Sequence, residues 1–163
     1  ADIAVQASLT GHLVLSTIHT NTAIGALTRL ANMGVQPYLL SNSIVGLVAQ
    51  RLVRILCPDC KQPHIADEMQ CEFLNADPKN PPTIYLSTGC DNCAHEGYKG
   101  RLGIYEIVLI DETLRHMIHN GESELAMEKQ ARKLTTGIWT DGLDKVLTGR
   151  TSIHEVMRVT MED

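Results

Sequence analysis

Residues 11–34, GHLVLSTIHTNTAIGALTRLANMG, decide how the fold is read. Residues 12–17 are built on the apolar run Leu13–Val14–Leu15, too short for a helix, and are bounded by Gly11 on one side and Thr20 and Asn21 on the other. That pattern predicts a buried strand. Residues 22–34 come next with apolar residues at helical spacing, Asn21 or Thr22 as a cap and Gly34 as a stop. Ahead of the run, ADIAVQASLTG places Ile3, Ala4, Ala7 and Ser8 on one helical face and stops at Gly11. Helix, buried strand, helix is the grammar of an α/β sheet edge covered by helices, and one strand calls for more sheet upstream. The chain opens with neither an initiator Met nor the regions of a signal peptide, so it is expected to be processed or a fragment of something longer.

Beyond this stretch, YLLSNSIVGLVAQRLVRIL (38–56) also carries apolar residues at helical spacing and predicts a second helix, with Arg51 and Arg54 on one face at i, i+3. From Cys57 to about Arg101 the composition turns to Cys, Pro, Asn, Asp and Gly, and DPKNPP (77–82) reads as a turn-rich extension. This segment is expected to rely on something other than a hydrophobic core. RLGIYEIVLID (101–111) alternates as a strand, and four short helices come after it, with Asp111, Ser123 and Ser152 as caps and Gly121, Gly137 and Gly149 as stops.

Composition narrows the function classes. The 163 residues are 44% hydrophobic and 20% charged, with no apolar run near the ~20 residues that span a bilayer. A net charge of −5 speaks against broad contact with nucleic acid or an anionic membrane and leaves only local clusters such as Arg51/Arg54 to meet phosphates. Five cysteines, an odd number without a secretory signal, fit a reducing compartment better than a disulfide framework.

Four of those cysteines form two pairs, CPDC (57–60) and CDNC (90–93). Each tight pair offers two thiolates from one side, and two such knuckles close a tetrahedron around Zn²⁺. Iron is the close chemical competitor, and buried free thiols or a redox Cys-x-x-Cys are the other readings. Four thiolates leave no open position for a water, so the metal would be structural. Gly97 and Gly100 come after the second pair, where a turn can aim backbone N–H groups at a sulfur. Cys71, His64 and His95 are read as bystanders to a complete shell.

His12 and His19 cannot share a metal. Seven residues apart on a strand they would lie roughly 23 Å from one another and on opposite faces. Beyond the strand's C-terminal end, His19 falls where open α/β sheets place ligands. Arg29, on the next helix, carries a fork suited to phosphate oxygens, although a solvated helix face is its ordinary role. No Gly-x4-Gly-Lys-Ser/Thr loop occurs: Gly137 and Gly142 have that separation but are followed by Leu143 and Asp144.

Together, IAVQASLTGHLVLSTIHTNTAIGALTRLANMGV, LVAQRLVRILCPDC and GCDNCAHEGYKGRLGIYEIVLID closely resemble the C-terminal part of the type II secretion system ATPase family, bacterial motors related to type IV pilus assembly ATPases. The resemblance runs from residue 1 to 163. It implies an α/β fold: the C-terminal portion of a RecA-like P-loop NTPase domain (1–55), an inserted tetracysteine zinc subdomain (56–104) and a small helical C-terminal subdomain (105–163). It also implies that residues 11–21 are the family's His box, with His19 near the γ-phosphate, His12 supporting it and Arg29 facing nucleotide. Cys57, Cys60, Cys90 and Cys93 would be the zinc ligands. In the intact parent it implies ATP and Mg²⁺, a hexameric ring, partners in an inner-membrane secretion platform, and a place at the cytoplasmic face of that membrane without insertion. The parent would couple ATP hydrolysis to pseudopilus assembly and protein export. The Walker segments lie upstream in that family, so this chain alone is expected to be inactive. A reading from another class is a non-enzymatic zinc-ribbon adaptor that docks another protein.

Overall fold

The computed structural model describes residues 1–161, so the last two residues of the expected helical subdomain lie outside the described residues. Among them are eight α-helices and four strands, in two compact units, each with its own core.

The first unit takes residues 1–49 and 106–137. It holds α1 (Asp2–Leu9), α2 (Gly25–Asn32), α3 (Pro37–Ser43), α5 (Glu112–His119) and α6 (Glu124–Leu134). Local chemistry sets most of these boundaries. Pro37 opens α3 at a position that needs no N–H. The Asp111 carboxylate accepts the Leu114 N–H at 2.7 Å to start α5, and the Ser123 hydroxyl accepts the Ala126 N–H at 3.3 Å to start α6. Leu114 and Ile118 of α5, and Met127 and Ala131 of α6, are i, i+4 pairs that bury against Ile24, Leu27 and Leu40.

The second unit takes residues 50–105 and 138–163. It holds β2 (Gln62–Ile65), α4 (Glu68–Leu74), β3 (Thr83–Leu86), α7 (Ile138–Leu147) and α8 (Ile153–Thr160). β2 and β3 pair antiparallel, Gln62 opposite Leu86 and Ile65 opposite Thr83. Between them α4 starts on a reciprocal Asp67–Gln70 capping box and ends at Asn75 in the left-handed conformation. The remaining strands, β1 (Gly46–Leu56) and β4 (Tyr98–Leu109), are hydrogen-bonded to one another in a separate two-stranded sheet.

Three expectations are corrected. Residues 44–56 form no helix: the helix ends at Ser43 and β1 comes next, its alternate residues more and less exposed along Gly46–Leu52. Gly46 discourages helix, and Leu47, Ala49 and Val53 against Val48, Gln50 and Leu52 satisfy period 2 as well as they satisfy 3.6. Residues 12–17 form no strand. A strand needs a ladder partner, no described segment supplies one, and Leu13 and Leu15 are 81% and 86% exposed. The cysteine-rich segment does own apolar core: Ala66, Cys71, Leu74 and Ile84 bury with Val53 and Leu143. The DPKNPP stretch is indeed a loop, joining α4 to β3.

Candidate functional site

The two knuckles meet. Cys57 comes directly after β1, and its carbonyl accepts the Lys61 N–H at 3.0 Å, turning the chain so that Cys60 faces back. The second knuckle is a short 3₁₀ turn, Asp91–Cys93, followed by Ala94 and His95 at φ 51° and 63°. Sγ–Sγ distances are 3.9 Å for Cys57–Cys90, 3.8 Å for Cys60–Cys93 and 3.8 Å for Cys90–Cys93, with all four sulfurs within 4.8 Å of one another. A tetrahedron with ~2.3 Å metal–sulfur bonds has edges of about 3.8 Å, so the quartet fits a zinc-sized tetrathiolate ion. The four cysteines could therefore hold a metal ion. Cys71 lies elsewhere, its Sγ 3.8 Å from the Ala66 carbonyl, and neither His64 nor His95 joins the quartet.

Backbone donors favour ionised sulfur. The N–H groups of Cys90 and Gly97 each point at Cys93 Sγ at 3.2 Å. Burial pushes the Cys93 thiol up, but these two donors, together with hydrogen bonds from the Cys90 and Cys60 thiols, more than reverse it and bring it down to about 7. Cys90, pushed up first by burial and then by its neighbouring thiols, reaches about 12. Gly97 sits at φ +77°, and a Cβ there would lie 2.6 Å from Ser87 Cβ, so this approach to sulfur requires glycine. Gly100 has no such role. Asn92 Nδ2 reaches Asp59 Oδ2 at 3.1 Å and ties one knuckle loop to the other.

The histidine segment is organised differently. His12 Nδ1 lies 3.2 Å from Thr10 Oγ1, His19 is exposed on the irregular segment before α2, and Arg29 is exposed on α2. Among the described residues no hydrogen bond or ion pair joins the three. Hydrogen bonds hold the turn after His19: the Thr20 hydroxyl donates to the Thr22 carbonyl, and Thr22 Oγ1 accepts the Gly25 N–H at 2.9 Å, although the N-cap of α2 is Ile24 and neither Asn21 nor Thr22 as expected. Glu124 ties this turn to α2, accepting from Thr22 in the turn at 3.5 Å and from Thr28 in the helix at 2.7 Å. Sequence reading offered no signal for Glu124, which stands 96 and 102 residues from those partners.

The arginine pair is also corrected. On a strand, residues three apart point to opposite faces, so Arg51 and Arg54 do not share one. Arg54 is committed to Glu155: Nε and Nη2 bond Oε2 at 3.0 and 2.9 Å, and the Arg54 backbone N–H bonds Oε1 at 3.0 Å. Arg158 adds bonds at 3.1 and 2.7 Å to the same fully buried carboxylate. Arg54's fork is therefore occupied by protein, not open to phosphate.

The family profile described as Type II/IV secretion system protein matches residues 1–158. The Type II secretion system ATPase E of Vibrio cholerae is 57% identical over 162 residues, covering 99% of this chain and 32% of that protein. The Type II secretion system protein E of Pseudomonas aeruginosa is 56% identical over 163 residues, covering 100% of this chain and 32% of that protein. The Type IV pilus assembly ATPase TfpB of Acinetobacter baylyi is 44% identical over 162 residues, 98% of this chain and 28% of that protein. The chain spans about a third of the length of the curated relatives it matches.

Proposed function

The chain belongs to the Type II/IV secretion system protein family, and from that premise we propose that it is the C-terminal part of a RecA-like, P-loop ATPase that drives protein secretion. The observation that carries this reading is 57% identity, over nearly the whole chain, to a protein named Type II secretion system ATPase E. In this reading the motor works as a hexameric ring at the cytoplasmic face of the inner membrane, engages a membrane platform, and couples ATP hydrolysis to pseudopilus assembly. No helix among the described residues is long and apolar enough to cross a membrane. Along the sequence, 1–55 serve the ATPase domain, 56–104 the metal subdomain and 105–163 a helical part, while the compact units interleave these stretches.

Within such a motor, phosphoryl transfer needs a P-loop and Mg²⁺, and this chain contains no P-loop sequence; alone it is inactive. Its own contribution is positive and hydrogen-bonding charge beside the phosphates. His19 meets the γ-phosphate, Arg29 supplies cationic charge, and His12 supports the segment. The turn that Glu124 pins through Thr22 and Thr28 fixes where the histidine segment meets α2. A Zn²⁺ bound by Cys57, Cys60, Cys90 and Cys93 supplies a cross-link between the two knuckles. Elemental analysis of the purified chain should find about one zinc per molecule.

The test is His19→Ala in the full-length protein. ATP turnover should fall about 100-fold, the scale of losing one stabilising group at a transferring centre, with nucleotide affinity little changed. Unchanged turnover removes His19 from the mechanism.

A further inference from the structure

Both segments that enter the four-cysteine centre are fastened to one short stretch, residues 150–155, more than 50 residues from the nearest of the four sulfurs in sequence. On the first segment, Leu56 donates its N–H to the Arg150 carbonyl at 2.9 Å and the Thr151 hydroxyl donates to the Arg54 carbonyl at 2.8 Å. Arg54 clamps Glu155 through both backbone and side chain, and Cys57 lies three residues further on.

On the second segment, the Gly97 N–H points at Cys93 Sγ while its carbonyl accepts the Cys57 N–H at 3.0 Å. Gly97 therefore touches both knuckles. Tyr98, the next residue, places its hydroxyl 2.7 Å from Ser152 Oγ, and its ring lies 4.3 Å from the Arg54 guanidinium carbon. Ser152 Oγ also accepts the Glu155 N–H at 3.2 Å, capping α8. Glu155 and Thr151 are fully buried and Ser152 is 6% exposed, so these are interior contacts that solvent does not replace.

We propose that metal binding at the four cysteines and docking of the α8 N-terminus are one coupled equilibrium, in which Tyr98 and Ser152 act as positioning residues for the metal. The proposal rests on the metal reading above and adds to it a remote element that sets the affinity. A tetrathiolate site requires two knuckles held with their sulfurs about 3.8 Å apart, and ordering their flanking backbone opposes binding. With α8 docked, Leu56 and Tyr98 are already fixed and the metal finds its ligands assembled. With α8 loosened, the metal must order both segments itself. Linkage makes the effect reciprocal: whatever factor docking adds to metal affinity, the metal adds to docking. A load placed on the C-terminal helix would then be felt at the metal.

The experiment uses the whole chain, with zinc affinity measured by competition against a chromophoric chelator and amide hydrogen exchange of residues 153–160 monitored with and without zinc. Tyr98→Phe removes only a hydroxyl, and Ser152→Ala removes its partner. Each should weaken zinc binding about fivefold or more and blunt the zinc-induced slowing of exchange in α8, and Ser152→Thr, which keeps a hydroxyl, should restore both. If the variants melt earlier yet bind zinc like the parent chain, with the same zinc response in α8, the two residues are structural only and the coupling is overturned. If the parent chain itself takes up no zinc, the metal reading falls, a failure recognisable because the variants then match the parent in every zinc readout.

Discussion

Replacing Glu155 with Gln should destabilise the chain at neutral pH and remove part of its sensitivity to acid. Burial pushes the Glu155 carboxyl up, but the hydrogen bonds from Arg158 and Arg54 outweigh it and hold the group at about 2, against an ordinary 4.5. At ~1.4 kcal/mol per unit, that difference is worth roughly 3 kcal/mol of stability. Because the folded value lies below the unfolded one, the contribution is complete above about pH 4.5 and is lost as pH falls toward about 2. Gln keeps the shape but leaves two guanidinium groups facing an amide, and breaking a buried pair costs ~3–5 kcal/mol. The arginine side chains are 36% and 39% exposed and regain some hydration, which favours the low end, about 3 kcal/mol. Trp139, the one tryptophan, packs beside the second core and reports on it by fluorescence. Urea unfolding of both proteins should show a gap of about 3 kcal/mol at pH 7 that shrinks to about 1 kcal/mol at pH 3. Excess chelator at every pH keeps both proteins metal-free, so metal release does not enter the difference. A gap that stays constant over this range would refute the assignment of the carboxylate as ionised and clamped.

Two glycine substitutions probe close approach. Gly142→Ala places a Cβ 2.6 Å from Val156 Cγ1 where α7 meets α8; overpacking should outweigh the ~1 kcal/mol gain in helix propensity and lower the Trp139 melting temperature, whereas an equal or higher temperature would show that the helices can move apart. Gly97→Ala forces a Cβ against Ser87 at φ +77° and misdirects the N–H aimed at Cys93, so zinc affinity in chelator competition should drop at least about tenfold; an unchanged affinity would mean that this donor does not matter to the site.

What the sequence reveals here is governed by distance along the chain. The knuckles are legible because two thiols three residues apart can only present themselves together, and Asp111, Ser123 and Ser152 are legible because a cap bonds an N–H three residues on. The strand at Gly46–Leu56 is not, since its apolar residues fit both periods and the deciding partner, β4, begins more than 40 residues later. Residues 12–17 show the converse: their pattern is that of a strand, yet without a ladder they form none and stay exposed. Charge pairing is the least legible of all. Arg54 reads as a helix-face cation in search of phosphate, and only a carboxylate 101 residues away shows that its fork is already filled. Ser152 combines both cases. Its bond to the Glu155 N–H is local and predictable, while its bond to Tyr98, 54 residues back, exists only in the fold. A residue chosen by sequence for starting a helix thereby also decides how firmly the second cysteine knuckle is held, so the effect of changing it should be sought at the metal as well as in the helix.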